Sequence, residues 1–271
     1  MRKMIIEAGA SAEILDIVAQ IGWDGVFVGW GNGFDAEGTI SRIRERGLLL
    51  QSVHAPFGGI WRLWEGTDEE ADAELNEQIT CLRDSAKMGC DLVVMHAIIG
   101  MERNNPTEVG VERFAKLVKV AHDLGVRIAL ENTEGEVYLK TLLDAFDSEP
   151  HVGFCVDTGH ELCYNYAKDT IGAYGKRLFG THLNDNMGMT GTELTWCDDA
   201  HVLPFDGIAD WVGIAKRLKA ANFTGPLTFE LIQRNRPGRH TSDRYEQMSY
   251  REYMAAAYEH ARCFASLVEH T

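Results

Sequence analysis

Short apolar runs that end in a polar residue recur along the whole chain, and between them the hydrophobic positions return at helical spacing. Residues 4–8, 25–29, 48–54, 91–96, 126–131, 152–157, 178–182 and 227–231 read as buried strands, by their length and apolar density. Residues 12–21 read as a helix behind Ser11 as N-cap, and 37–46 as a helix closed by Gly47. Residues 68–88 and 107–124 read as longer helices stopped by Gly89 and Gly125. Residues 138–146, 169–174, 211–221 and 250–268 complete the set, with 169–174 the weakest pattern. Eight strands alternating with eight helices predict parallel strands joined by crossover helices. Eight such units are what a (β/α)8 TIM barrel needs. A doubly wound open sheet is the rival, but no G-x-G-x-x-G turn follows the first strand. No repeat, low-complexity tract or Pro/Ser-rich linker interrupts the pattern, so a single domain over residues 1–271 is expected.

Composition adds little to the fold and more to the partners. The chain carries 41 acidic against 26 Lys and Arg residues, a formal charge of −15. That balance favours solubility and gives no general attraction to nucleic acid or anionic membranes. Met1-Arg2-Lys3 is basic, but Glu7 and Gly9 cut the following apolar run too short for a signal segment. No stretch approaches the ~20 apolar residues of a membrane span. The six cysteines, Cys81, Cys90, Cys155, Cys163, Cys197 and Cys263, have no paired spacing, which points to reduced thiols and a cytoplasmic protein.

The chemistry sits at the strand ends. His54, His96, Glu131, Asp157, His182 and Glu230 each close an apolar run, and His160 follows Asp157 by three residues. In a barrel all strand ends meet on one face, so these residues converge. A lone strand-end histidine is usually a hydrogen-bonded structural residue. Two glutamates ending buried strands are harder to explain that way, because buried carboxylates are costly unless paired or metal-bound. Carboxylates with imidazoles suit Mn, Co, Mg or Zn as one divalent ion, and no strand-end cysteine suggests a thiolate zinc site. The stretch 184–210 adds Trp196, Asp199, His201, Pro204 and Gly207.

Taken in order, His54-Ala55-Pro56, Leu130-Glu131-Asn132, Val156-Asp157-Thr158-Gly159-His160, His182-Leu183-Asn184-Asp185, Asp199-Ala200-His201 and Phe229-Glu230 resemble the xylose isomerase-like barrel superfamily. That superfamily holds sugar phosphate isomerases and epimerases and, as a cousin, abasic-site nucleases of the endonuclease IV type. For the first branch the resemblance implies a metal held by Glu131, Asp157, His182 and Glu230, with Glu131 and Glu230 as the proton-transfer pair. The metal would stabilise the enediolate formed when a proton leaves the carbon next to a carbonyl. His54, His96, His160, Asp199, His201, Phe57 and Trp61 are then the expected substrate contacts.

Family ketose epimerases often carry a further substrate glutamate six residues after the first metal glutamate; Val137 stands there, so ketose specificity is not carried over. The nuclease branch implies three Zn on nine ligands, for which His54, His96, Glu131, Asp157, His160, His182, Asp199, His201 and Glu230 are available. A dehydratase of keto-inositol type would share the first proton abstraction. Phe57, Trp61 and Trp64 either wall a sugar site or pack beneath their loop. Arg234, Arg236 and Arg239 either grip a phosphate or form a solvated loop. The expected partner is a small-molecule sugar or sugar phosphate, with no nucleic acid and no membrane, and a homo-oligomer is left open.

Overall fold

The computed structural model describes residues 2–189 and 191–271; Met1 and Thr190, the latter inside the 184–210 stretch, lie outside the described residues. The first half runs β1 (Met4–Glu7), α1 (Ala12–Ile21), β2 (Gly25–Gly29), α2 (Ala36–Glu45), β3 (Leu49–His54), α3 (Arg62–Glu65), α4 (Asp68–Lys87) and β4 (Leu92–His96). Next come α5 (Glu108–Leu124), β5 (Arg127–Glu131), α6 (Glu136–Ala145), β6 (Val152–Asp157), α7 (Thr158–Leu162), α8 (Thr170–Tyr174) and β7 (Leu178–His182). The chain ends with α9 (Trp211–Ala220), β8 (Leu227–Phe229), α10 (Asp243–Glu246) and α11 (Tyr250–His270). All strands are parallel, in the order β7-β6-β5-β4-β3-β2-β1-β8. The (β/α)8 barrel that the hydrophobic pattern predicts is therefore the fold.

The last seam closes lightly. β7 and β8 meet through one parallel bridge, Leu183 with Phe229, in which Leu183 N–H donates to the Thr228 carbonyl at 2.8 Å. Thr228 N–H donates to the Thr181 hydroxyl at 3.1 Å, so a side chain replaces a ladder partner there. This short seam corrects one expectation: β8 stops at Phe229, leaving Glu230 just beyond the strand. The short helices α3, α7 and α10 were also absent from the periodicity, since four or five residues cannot display it.

Strand alternation divides the core in two. One cluster packs between the strands and the helical shell, and a smaller one of Leu92, Val94, Ala129 and Cys155 fills the barrel interior. Two residues further along their strands, Val94 gives way to His96, Ala129 to Glu131 and Cys155 to Asp157, on the same inward face. The register pairs His96 with Glu131 and Asp157 with His182, so these side chains stand at one level above the apolar plug.

The long connection after β7 is pinned by a buried carboxylate. Asp185 accepts from Asn186 N (2.8 Å) and Ala209 N (2.9 Å) on Oδ1, and from Phe205 N (3.0 Å) and Trp211 Nε1 (2.8 Å) on Oδ2. A Cβ at Gly207 would run into the Asn186 carbonyl and the Asp185 carboxylate, which explains that glycine by close approach. Asp185→Ala leaves these donors, two of them carried by buried residues, without their acceptor. A loss on the order of 3 kcal/mol in urea-unfolding free energy is expected. An unchanged midpoint and slope would remove Asp185 from this role.

Candidate metal centre and substrate cavity

Four ligand atoms, one each from Glu131, Asp157, His182 and Glu230, lie within 4.8 Å of one another at the C-terminal mouth of the barrel. Two ligands of one ion bonded at about 2.0–2.2 Å stand at most about 4.4 Å apart, so small side-chain shifts bring all four onto one centre. His182 Nδ1 is 2.8 Å from Glu131 Oε1 and 2.9 Å from Glu230 Oε2. The Glu230 contact lacks hydrogen-bond direction, and Glu230 Oε2 and His182 Nε2 are buried without a hydrogen-bond partner. Stacking on Phe27, with ring centroids 4.7 Å apart, fixes the His182 plane. Glu131 and Asp157 are both fully buried. Three carboxylates with an imidazole, one carboxylate oxygen orphaned, fit a divalent cation better than any neutral occupant.

The electrostatics carry the same stamp. Burial pushes the Asp157 carboxyl up to about 6, against the opposing charges of His160 and His201. Burial works the same way on Glu131, but the charge of His182 and hydrogen bonds from His182, His54 and His96 outweigh it and hold Glu131 well below the usual carboxylate range. Glu230 likewise falls to about 2, because His182 overcomes the burial.

Two asparagines hold the aspartate. Asn132 Oδ1 accepts from Asp157 N at 2.7 Å, and its Nδ2 donates to Asp157 O at 2.8 Å and Asn165 Oδ1 at 2.9 Å. This amide continues the β5–β6 ladder past the last strand residues. Asn184 Nδ2 donates to Asp157 Oδ2 at 2.7 Å, while Asp157 Oδ1, as the N-cap of α7, accepts from His160 N at 2.7 Å. A Cβ at Gly159 would collide with the Asn184 amide, so that position stays bare. Asn132→Ala is expected to weaken metal affinity about 10- to 100-fold, the usual effect of losing an outer support. Calorimetric titration of the metal-free protein measures it, and wild-type affinity would show that Asn132 does not orient the ligand.

Around this floor stand the remaining histidines. His54, His160 and His201 donate Nδ1–H to backbone carbonyls, of Ala55 (2.8 Å), Asn132 (3.0 Å) and Glu230 (3.1 Å). Their Nε2 atoms face carboxylates: Glu131 Oε2 at 3.3 Å for His54, and Asp199 Oδ2 at 3.3 and 2.9 Å for His160 and His201. His96 Nε2 lies 3.2 Å from Glu131 Oε2, and its Nδ1 is buried without a hydrogen-bond partner. Anchoring one ring nitrogen on a carbonyl fixes the tautomer and aims the other, the arrangement common to metal-ligating histidines. His201 takes a left-handed φ of 46°, a strained conformation held by the bridge of the next residue, Val202, to Asp185 and by Ile232 N–H donating to the His201 carbonyl.

Above lies a cavity of about 630 Å³ lined by His54, Phe57, His96, His160, Asp199, His201 and Glu230 among others. Of the residues singled out from the sequence, Glu131, Asp157 and His182 sit beneath this lining, and Trp61 does not border it. Trp61 instead faces the guanidinium groups of Arg62 and Arg103, and Trp64 is core, donating Nε1–H to Ala97 O at 2.7 Å. Phe57 does reach the cavity, stacked on His96 at 4.5 Å. The second aromatic wall is Trp196, with the Arg236 guanidinium 5.7 Å over its ring. Glu7 and Glu134 also line it and were passed over by the sequence reasoning. Burial and the charge of Glu230 raise the Glu7 carboxyl to about 7, against the opposing charge of nearby histidines. Glu7 ends β1 as Glu131 ends β5, so the same strand-end signal was present.

The arginines after β8 part company. Arg234 is exposed, and Arg239 pairs with Asp198 at 2.9 Å. Arg236 donates to Asp199 O at 2.7 Å and Oδ2 at 3.2 Å.

The chain belongs to the xylose isomerase-like TIM barrel family, whose model matches residues 15–252. It is 33% identical over 159 residues to an uncharacterized protein of Sinorhizobium fredii, a match covering 54% of this chain and 49% of the relative. The match thus spans about half the length of that curated relative. Among solved structures, D-psicose 3-epimerase from Clostridium cellulolyticum H10 with D-tagatose is similar at 17% identity and a TM-score of 0.74, covering 97% of this chain and 99% of that one. The IolI protein with a bound zinc atom is also 17% identical, with a TM-score of 0.76 and 98% of both chains covered. At these identities the likeness is one of fold. No helix among the described residues is long and apolar enough to cross a membrane.

Proposed function

We propose that the protein is a metal-dependent isomerase or epimerase of a sugar or sugar phosphate. The observation that carries the reading is the convergence of Glu131, Asp157, His182 and Glu230 beneath a cavity with an orphaned Glu230 oxygen. A divalent ion held by these four would polarise a sugar carbonyl and make the neighbouring C–H more acidic. Glu230, which lines the cavity, takes that proton. Glu131, beneath the lining behind His54 and His96, is the second carboxylate of the proposed proton-transfer pair; held ionised by the surrounding histidines, it takes up a proton from a substrate hydroxyl or solvent before returning one to the carbon. Phe57 and Trp196 pack against the apolar faces of the ring. His160, His201, Asp199 and Glu134 supply polar groups for hydroxyls, with His54 and His96 beside them. Fold neighbours that are a D-psicose 3-epimerase and a zinc-bearing IolI protein agree with this reading.

The cavity carries both signs of charge. Glu7, Glu134, Asp199 and Glu230 line it, while among the described lining residues Arg236 is the one arginine and there is no lysine. Arg236 is already shared with Asp199. The lining histidines His54, His96, His160 and His201, and a divalent ion when bound, offset these carboxylates, so the lining suits a neutral or a phosphorylated sugar.

Incubation of the metal-loaded protein with a panel of ketoses and aldoses in deuterium oxide tests the proposal. Incorporation of deuterium at the carbon next to the carbonyl, with a rearranged sugar as product, is expected; loss of water without exchange would mark a dehydratase, and no exchange on any member counts against the reading. A second reading, a three-zinc phosphodiesterase at abasic DNA, is favoured by two further groupings, His54/His96/Glu131 and Asp157/His160/His201. It requires three bound ions and cleavage of an abasic duplex.

A further inference from the structure

At the opposite end of the barrel, away from the cavity, three potential ligands converge at the surface. His122 lies in the last turn of α5, and Glu149 and His151 lie in the turn that leads into β6. Glu149 Oε1 is 3.3 Å from His122 Nδ1 and 3.2 Å from His151 Nδ1, and one ligand atom from each residue lies within 4.8 Å of the others. The two rings, 4.6 Å apart and tilted by 48°, turn their Nδ1 edges toward the same oxygen.

We propose that His122, Glu149 and His151 form a second metal site, for a zinc-class divalent transition ion, independent of the catalytic centre. The separations are the first argument. A tetrahedral ion with bonds of about 2.0–2.1 Å has ligand-to-ligand edges of about 3.3–3.4 Å. The two N···O distances match that edge and stand at the long end of N–H···O bonds. The donor set is the second argument, since two imidazoles and one carboxylate with an open fourth position suit Zn²⁺, Ni²⁺ or Cu²⁺ and not Mg²⁺ or Ca²⁺.

Rigidity is the third argument. Ile128 N–H donates to the His151 carbonyl at 2.7 Å, and Val152 N–H to the Glu149 carbonyl at 3.2 Å. Arg177 clamps the same turn, donating to the carbonyls of Leu143 and Phe146 at 2.7 Å, Val152 at 2.6 Å and Glu149 at 3.4 Å. Its charge is engaged by those carbonyls and by Asp147, 3.7 Å away, which lessens its repulsion of an ion. The C-terminal end of α5 adds the favourable field of its carbonyls for a cation. A bound ion ties α5 to the turn before β6. With His122 side chain 55% and Glu149 24% exposed, the site is open to exchange with solvent metal.

Titration of the metal-free full chain with zinc chloride tests the proposal, with wild type compared with a His122→Asn/His151→Asn double variant. The wild type is expected to bind one more zinc per chain. Glu149→Gln should raise the dissociation constant of that additional ion about tenfold or more. Magnesium chloride should show no difference between the proteins. Sugar turnover at fixed metal, if the catalytic reading holds, should be the same in all of them; the zinc count by itself does not depend on it. Equal zinc counts in wild type and double variant overturn the site. Should the double variant unfold, the exposed His122→Asn change alone serves, with the same expected loss and the same overturning result.

Discussion

Glu230→Gln is expected to lower kcat by about 10³-fold while the barrel stays folded. Removal of a positioned general base usually costs about 10²- to 10⁴-fold, and here the same carboxylate also belongs to the metal cluster. The fold should survive because Gln has the same shape and because Glu230 holds its neighbours mainly through the backbone, with its carbonyl accepting from His201 Nδ1. Its side-chain oxygen Oε2 makes no hydrogen bond that the change would break. Two causes of the loss are separable. If Glu230 acts as the base, the variant saturated with metal stays inactive and deuterium exchange disappears with turnover. If Glu230 only anchors the ion, excess metal restores the rate. Wild-type kcat in the metal-saturated variant, with an unchanged thermal midpoint, would falsify the proton-transfer role.

How far these roles were legible in the sequence depends on the direction in which each side chain acts. Glu131, Asp157 and His182 end buried parallel strands, and such strands read as plain apolar runs, so the residue that breaks each run stands out. Glu230 stood out in the same way although β8 stops one residue short of it, because Thr181 and a single bridge take over the pairing. Asn132 and Asn184 did not stand out in role. Their amides act sideways, across to Asp157 on the neighbouring strand, and only the register β5–β6–β7 shows it. The aromatic wall was half legible for a similar reason. Phe57 and Trp61 are four residues apart in one loop, yet one stacks on His96 and the other turns to Arg62 and Arg103. The arginines after β8 were ambiguous until Asp198 and Asp199 were seen to take two of them. Local spacing carries no information about a partner some forty residues away.

Removal of metal is the second large effect expected. Dialysis against a strong chelator should reduce turnover to background, and one equivalent of Mn²⁺, Co²⁺, Zn²⁺ or Mg²⁺ should restore it in proportion to how well each fits an oxygen-rich set with one imidazole. The thermal midpoint should fall as well. Glu131 and Asp157 are fully buried carboxylates, and an ion at 100 times its dissociation constant stabilises the native state by about 2.7 kcal/mol. Full turnover after exhaustive removal of metal would end the metal-dependent reading. The count of ions also decides between the two readings, one at the catalytic centre for the isomerase and three for the phosphodiesterase. That count must be made in the His122→Asn/His151→Asn background, because an ion on the far face of the barrel raises a bulk measurement by one. With that site removed, one zinc per chain supports the Glu131, Asp157, His182 and Glu230 centre acting alone. Three would mean that His54, His96, His160, Asp199 and His201 are ligands and not sugar contacts, and the carbonyl-anchored orientation of His54, His160 and His201 would then serve metal binding at each of them.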